Sequence, residues 1–526
     1  MKKKNQIDEL GNRPDFLIII TDQERATQHF PKNWEKNHLS TMTALKSDGI
    51  SFERAFCNTC MCSPSRSTLL TSNYPAQHHV TQTLTTGGSM STAEQTLSNS
   101  YPNIARVLSP LGYDCQWRGK WHVSKGQDKG DPYGNVTAED IALFGFKGWV
   151  GPDSGEDAHP ENFGGGFANH DAMYIKQSIE YLESVKLRRE AGDTTPFCLV
   201  ISLVNPHDVL GYPNQVQYGY NEDEYTQREV SLPETWNEDL LENKKPMSQF
   251  QTNIAADGLL GVLKDKDMKL DYINFYAYLL EKIDKQIGTV VDCLKGSNLY
   301  DKTVVIRTSD HGEMGLAHGG MRQKAFVAYE EALRVPLVIS NPILFKEPVK
   351  TTKLATLADI LPTMCDIVDT VYPDDIRGVS LLPIIEFDTD VQNEILFTFD
   401  DTKSGSNSLA SSVKAANRIR CIRTENWKYT SYFDALNEYA REEELYNLEI
   451  DPNEYTNLAY NSENRIILKA MREKLNKLMN EKLKLRSLTY DKKSFVETNP
   501  IYQTYAYNSL DEEQVIKSEN NKMENS

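Results

Sequence analysis

Three short stretches carry most of the reactive side chains of this chain, and each comes directly after an apolar run. Thr21-Asp22-Gln23 comes after Asp15 to Ile20, Asn205-Pro206-His207-Asp208 after Phe197 to Val204, and Ser309-Asp310-His311-Gly312-Glu313 after Thr303 to Thr308. Taken singly, an Asp after a strand caps a turn and a His makes a structural hydrogen bond. Taken together, Asp22, Gln23, Asp310 and His311 offer the oxygen and imidazole donors that hold one divalent cation. A fourth stretch contains Cys57, Cys60 and Cys62. A closed zinc site needs four ligands, usually from a second paired motif, and none is found downstream. Cys62 is succeeded by Ser63-Pro64-Ser65-Arg66. Pro64 suits the first turn of a helix. That puts Cys62 just before a helix N-terminus, on a solvent-facing site, where backbone N–H groups and the dipole favour an anion.

These side chains need a scaffold that brings them together. The three apolar runs read as buried strands, with Val335 to Ile339 as a fourth. Helical spacing predicts helices over Pro102 to Leu111, stopped by Gly112, and over Asp271 to Cys293. This alternation predicts an α/β fold, with a large, mixed, mostly parallel sheet sandwiched by helices. Ligands of such sheets bind off the carboxyl ends of the strands, so all three reactive stretches reach one edge. The sequence changes character near residue 390. A serine-rich stretch, Ser404 to Ser412, precedes short antiparallel strands over Arg418 to Tyr432 and a lysine-rich amphipathic helix over Arg465 to Leu485. The expected organisation is an N-terminal extension (1–13), a catalytic domain (14–390), a smaller α+β domain with an antiparallel sheet (391–485) and a tail (486–526) with a disordered tip.

The 526 residues, 39% hydrophobic, suffice for a sizeable core. There are 75 acidic and 57 basic residues, for a net charge of -18. Such a surface repels phosphate backbones, so no nucleic-acid partner is expected, and an anionic substrate would need a locally basic pocket. No apolar run approaches the roughly 20 residues of a membrane span. Lys2, Lys3 and Lys4 are succeeded by polar residues, not by the apolar core of a secretory signal, so the expected location is cytoplasmic. Five of the eight cysteines are scattered singly, which argues against a disulfide framework, and Cys198 reads as a small buried hydrophobe.

Cys62-Ser63-Pro64-Ser65-Arg66 resembles the signature of the type I, formylglycine-dependent sulfatases of the alkaline phosphatase superfamily. Gly119-Lys120-Trp121-His122 looks like that family's second signature, and Tyr74-Pro75-Ala76-Gln77-His78 resembles the segment after the first. Asn205-Pro206-His207, Asp310-His311-Gly312-Glu313, Lys324 and Arg334-Val335-Pro336-Leu337 resemble its Pro-His, metal and lysine regions. Trp427-Lys428-Tyr429, Glu444 to Leu448 and Asp451 to Glu454 resemble its smaller domain, so the likeness runs in order from residue 14 to about 485. Three positions depart from the common pattern. Gln23 stands where many members carry Asp, as in the phosphonate monoester hydrolase and choline sulfatase branches, His311 where many carry Asn, and His79 where Gly is frequent.

The resemblance implies an alkaline-phosphatase-like fold and hydrolysis of sulfate esters through a formylglycine hydrate at Cys62 and a covalent sulfate intermediate. Arg66 and Lys120 would hold the hydrate and the sulfate oxygens, and His122 would take the proton on collapse. His207 and Lys324 would bind sulfate and protonate the leaving oxygen. A cation, Ca²⁺ or alternatively Mn²⁺, would lie against Asp22, Gln23, Cys62, Asp310 and His311. The implied partners are a formylglycine-generating enzyme and a small sulfated substrate. Aromatic residues of the tail (Phe495, Tyr502, Tyr505 and Tyr507) give it more apolar surface than a free tail needs, which suits either a homo-oligomer or packing on its own domain. The alternatives are a phosphonate monoester hydrolase or phosphodiesterase on the same site, and a non-catalytic relative with an intact thiol.

Overall fold

The structure is a computed structural model that describes residues 10–484 apart from 12, 86–93, 127–133, 155–166, 226–228 and 405. The aromatic tail lies outside the described residues, and with it the choice between a homo-oligomer and packing on its own domain. Seven strands form the main sheet: β1 (Asp15–Asp22), β2 (Gly49–Phe56), β3 (Asp114–Gly119), β4 (Phe197–Pro206), β5 (Thr303–Ser309), β6 (Leu337–Ser340) and β7 (Val349–Thr356). Their order is β3-β4-β1-β5-β6-β2-β7. All run in one direction except β6, which is antiparallel to both of its neighbours. The sheet is therefore mixed and mostly parallel, as expected. The strand expected over Val335 to Ile339 begins two residues later and runs against the others.

Every residue of β1, β4 and β5 is buried. That is why these strands read as unbroken apolar runs and not as alternation. Two apolar layers flank the sheet. Phe16, Ile18 and Ile20 face one, and Leu17 and Ile19 face the other, as a strand's two-residue period requires. The long helix Lys266–Gly296 covers the second layer with Tyr272, Phe275, Leu279, Ile283, Ile287 and Val290. The helix expected over Pro102 to Leu111 is interrupted. An α-helical turn, Ile104–Leu108, gives way to a 3₁₀ turn, Ser109–Leu111, capped by Gly112 at φ 89°. Pro110 has no N–H to offer the carbonyl of Arg106, so the α-helical ladder cannot pass it.

The second sheet is an antiparallel meander: β8 (Glu394–Phe399), β9 (Arg418–Thr424), β10 (Trp427–Phe433) and β11 (Glu442–Asn447). Ile395, Phe397, Phe399, Ile419 and Cys421 join the core of the main sheet. Leu396, Ile422, Tyr429 and Leu445 face the other way, onto the helix Arg465–Lys482. That helix buries Leu468, Met471, Leu475 and Leu478, one face at helical spacing. Among the described residues, no helix is long and apolar enough to cross a membrane.

Candidate active site

The strand order explains the convergence. β1 lies between β4 and β5, with Asp22 opposite Pro206 and Thr21 opposite Ser309. The residues that leave these three strands, Asp22 and Gln23, His207, and Asp310 and His311, therefore emerge side by side. β3, outside β4, delivers Lys120 and His122 to the same edge. β2 leads into the helix Cys62–Thr71, which Cys62 itself opens; the residue flanking its start is Met61, so the helix begins one residue earlier than expected. Cys62 is also only 3% exposed, not solvent-facing. The other two cysteines of the cluster point away. Cys57 Sγ lies 3.8 Å from Cys60 Sγ, both are fully buried in the core, and neither joins the reactive group.

Four residues bring one donor atom each to within 4.8 Å of all the others: Asp22, Cys62, Asp310 and His311, all buried. His311 Nε2 is 3.2 Å from Cys62 Sγ, 3.7 Å from Asp22 Oδ1 and 3.6 Å from Asp310 Oδ1. Each carboxylate spends its other oxygen on cations. Asp22 Oδ2 accepts from Lys120 Nζ at 2.6 Å and Arg66 Nη2 at 3.1 Å, and Asp310 Oδ2 accepts from Arg66 Nε at 2.9 Å. Two carboxylate oxygens and an imidazole nitrogen thus face one point, a donor set that fits a hard divalent cation. Gln23 is adjacent but differently engaged. Its amide oxygen accepts from Lys324 Nζ and its amide nitrogen donates to Glu313, both at 2.5 Å. It ties Lys324 to the site.

The electrostatics arise from burial among charges. Burial opposes ionisation of Asp22, but Lys120 and Arg66 outweigh it and hold this carboxyl well below its ordinary value. Burial, with the Asp22 charge, pushes the Cys62 thiol up to about 12, so an unmodified thiol stays protonated and is a weak nucleophile. Burial, reinforced by Lys120, pushes His122 well below its ordinary value; burial, with Lys324 and Lys120, does the same to His207. Both imidazoles are neutral in the unliganded pocket, and an arriving anion raises both. Gln23 and His122 adopt left-handed backbone, at φ 66° and 51°. Such residues persist where their surroundings over-determine them. Gln23 N–H donates to Asp310 Oδ1 at 3.1 Å and its carbonyl accepts from Tyr276 at 2.7 Å, while the N–H of His122 donates to Asp153 at 2.8 Å. His79, at φ 68°, ends the short helix Pro75–His78. This backbone explains why glycine is frequent there.

Sequence reasoning missed two supports: Asp153, which also accepts the N–H of Trp121, and Ser202, whose Oγ accepts from Arg66 Nη1 at 2.5 Å; Glu313, named in the third reactive stretch, accepts from Tyr272 at 2.8 Å. Asp153 and Ser202 lie in no motif, and Ser202 of β4 meets Arg66 of the helix Cys62–Thr71 across 136 residues of chain.

Beside His207, burial pushes the Asp208 carboxyl up to about 7, against the hydrogen bond that Tyr220 donates to it. The fold therefore favours the protonated acid. Asp208 lowers stability most above about pH 7, and the penalty fades as the pH falls toward the unfolded-chain value near 4. Asp208→Asn mimics the protonated form. It is expected to raise unfolding free energy by on the order of 3–4 kcal/mol at pH 8.5, about three pKa units at about 1.4 kcal/mol each. At about pH 4.5 the gain should shrink to within about 1 kcal/mol. Urea unfolding at the two pH values checks this.

A locally cationic pocket on an acidic chain, at the carboxyl edge of a mostly parallel sheet, defines a hydrolase of anionic esters with the alkaline-phosphatase-like fold. Its family is narrower. The Sulfatase family model matches residues 14–370, and a second, the N-sulphoglucosamine sulphohydrolase C-terminal model, matches residues 318–481. The chain belongs to the sulfatase family of the alkaline phosphatase superfamily, and it is a sulfuric ester hydrolase. It is 24% identical over 511 residues to arylsulfatase K of Bos taurus, covering 94% of this chain and 87% of that protein. Its fold is similar to that of a 2-O GAG sulfatase (TM-score 0.66, 21% identity, 89% of this chain and 92% of the other). It is also similar to that of the phosphonate monoester hydrolase of Agrobacterium radiobacter (TM-score 0.64, 22% identity, 89% and 95%).

Proposed function

We propose that the protein hydrolyses a small sulfate monoester through formylglycine made from Cys62, beside a divalent cation held by Asp22, Asp310 and His311. The observation that carries this is the setting of Cys62. Its thiol is buried at a helix start, pushed up to about 12, and faces His311 and Asp22. Such a thiol is a poor attacking group, whereas the hydrated aldehyde supplies two hydroxyls, one to attack sulfur and one to expel sulfate with no second attack there. Arg66 and Lys120, fixed by Asp22, Asp310 and Ser202, bind the developing anionic oxygens. His122 accepts the proton released on collapse. His207 and Lys324 bind the sulfate and deliver a proton to the leaving oxygen. Arg66, Lys120, His122 and Lys324 are buried and His207 partly so, which limits bulk water around these charges and strengthens them. A cation at the Asp22, Asp310 and His311 oxygens and nitrogen supplies a Lewis acid. The hard oxygens suit Ca²⁺, and the imidazole makes Mn²⁺ the alternative.

The maturing partner is a formylglycine-generating enzyme. Co-production with that enzyme is expected to raise aryl sulfate turnover in proportion to the fraction of residue 62 carrying aldehyde, measured by peptide mass spectrometry. Full turnover from protein with only thiol at Cys62 would contradict the proposal. A second reading, hydrolysis of phosphonate monoesters, is favoured by Gln23. Gln23 matches the phosphonate monoester hydrolase branch of the resembling family, and a phosphonate monoester carries one negative charge, as a sulfate monoester does, so the same cationic groups suit it.

A further inference from the structure

We infer that Asp401 and Glu94 are positioning residues for His122, acting together through the peptide group of Leu84. This rests on the proposed role of His122 in proton transfer. Leu84 joins two parts of the site. Its N–H donates to Ser63 Oγ at 3.0 Å, one residue after Cys62, and its carbonyl lies 2.8 Å from His122 Nε2. A carbonyl only accepts, so Nε2 carries the proton and the lone pair of the neutral ring is on Nδ1. The placement of one carbonyl therefore sets both the tautomer and the aim of His122.

Residues 80–85 form neither helix nor strand, so no regular element holds this carbonyl. Two buried carboxylates hold it instead, one on each flank. Thr83 N–H donates to Asp401 Oδ2 at 2.7 Å. Asp401 lies just after β8, is fully buried, and is itself fixed by the N–H groups of Lys403 and Ser404 at 3.2 and 2.7 Å. On the other flank, Thr85 donates its N–H and its hydroxyl to Glu94 at 2.8 and 2.7 Å. Lys125 Nζ pairs with the same carboxylate at 2.7 Å, and Lys125 lies three residues beyond His122. Glu94 thus ties the segment to the strand end that carries His122. Asp401 ties it to the second sheet, so the smaller part of the chain contributes to active-site geometry. An ångström of drift in Leu84 would misdirect the imidazole, an error that costs turnover more than binding.

Asp401→Asn keeps the size of the side chain but turns an amide NH₂ toward backbone donors. Glu94→Ala releases the opposite flank and carries the same test if Asp401→Asn folds poorly. With an aryl sulfate as probe, each is expected to lower kcat about tenfold while KM stays within about twofold. In a His122→Ala background neither change should lower kcat further, because residues that act through one group are not additive. Nitrogen NMR of histidine-labelled protein should show the His122 proton on Nε2, and a mixture of tautomers in either variant. A loss of stability with kcat unchanged, or an undiminished effect on kcat in the His122→Ala background, would overturn the inference and leave the role of His122 standing. Unimpaired turnover by His122→Ala alone would overturn that role and the inference with it.

Discussion

Replacing Cys62 with alanine is expected to lower kcat for an aryl sulfate by about 10⁴-fold or more, while the fold survives. Of the four residues at the centre of the cluster, Cys62 alone is the proposed source of the aldehyde hydrate; its neighbours there are two carboxylates and an imidazole. Arg66, Lys120 and Lys324 can still gather the anion, but nothing then attacks it. Stability should change by about 1 kcal/mol, the scale of deleting one small buried group. The sulfur sits among polar atoms at a helix start, not in the packed core that holds Cys57 and Cys60. Turnover, measured beside thermal unfolding, separates the two effects. A Cys62→Ala protein that keeps more than about a hundredth of wild-type kcat would contradict the assignment.

The second large effect belongs to the proposed cation and the carboxylates that would hold it. Exhaustive chelation is expected to abolish turnover, with recovery on addition of Ca²⁺ or Mn²⁺. Asp310→Ala should lose both the metal, read by elemental analysis, and turnover. Asp22→Ala should do the same and also destabilise the fold. Asp22 accepts from Lys120 and Arg66, and all three side chains are essentially unexposed. Removing the carboxylate takes from Lys120 the partner it pairs with and leaves Arg66 with Asp310 and Ser202 alone, and breaking a buried pair costs about 3–5 kcal/mol. Full turnover after chelation, with no metal detected, would contradict the cation assignment. An Asp22→Ala protein as stable as the wild type would contradict the account of the ion pairs.

How far each feature was legible in the sequence depends on the range of the interactions behind it. β1, β4 and β5 were legible because strands buried on both faces are continuously apolar, and the reactive residues stand at their ends. The order that sets β1 between β4 and β5 was not legible, because pairing is decided by packing across hundreds of residues. Pro110 was in plain view, yet the helical spacing around it concealed the switch to a 3₁₀ turn. Gln23 was read as a metal ligand from its place beside Asp22. Its hydrogen bonds to Lys324 and Glu313 were not legible, because those partners lie 301 and 290 residues away in the chain. The hydrogen bond from Thr83 to Asp401 crosses 318 residues, and a lone Asp after a strand carries no local mark of such a task.

The claim that the site is built for sulfate monoesters is tested most directly by kcat/KM for aryl sulfate, aryl phosphate and aryl phosphonate sharing one leaving group. With the leaving group fixed, the ratios report how well the pocket binds each transition state. The sulfate monoester is expected to be the best of the three, with measurable turnover of the phosphorus esters, since Gln23 lessens the repulsion of extra charge and the same cations face every anionic oxygen. An aryl phosphonate or aryl phosphate preferred over the sulfate by more than about tenfold, roughly 1.4 kcal/mol of barrier, would contradict the account.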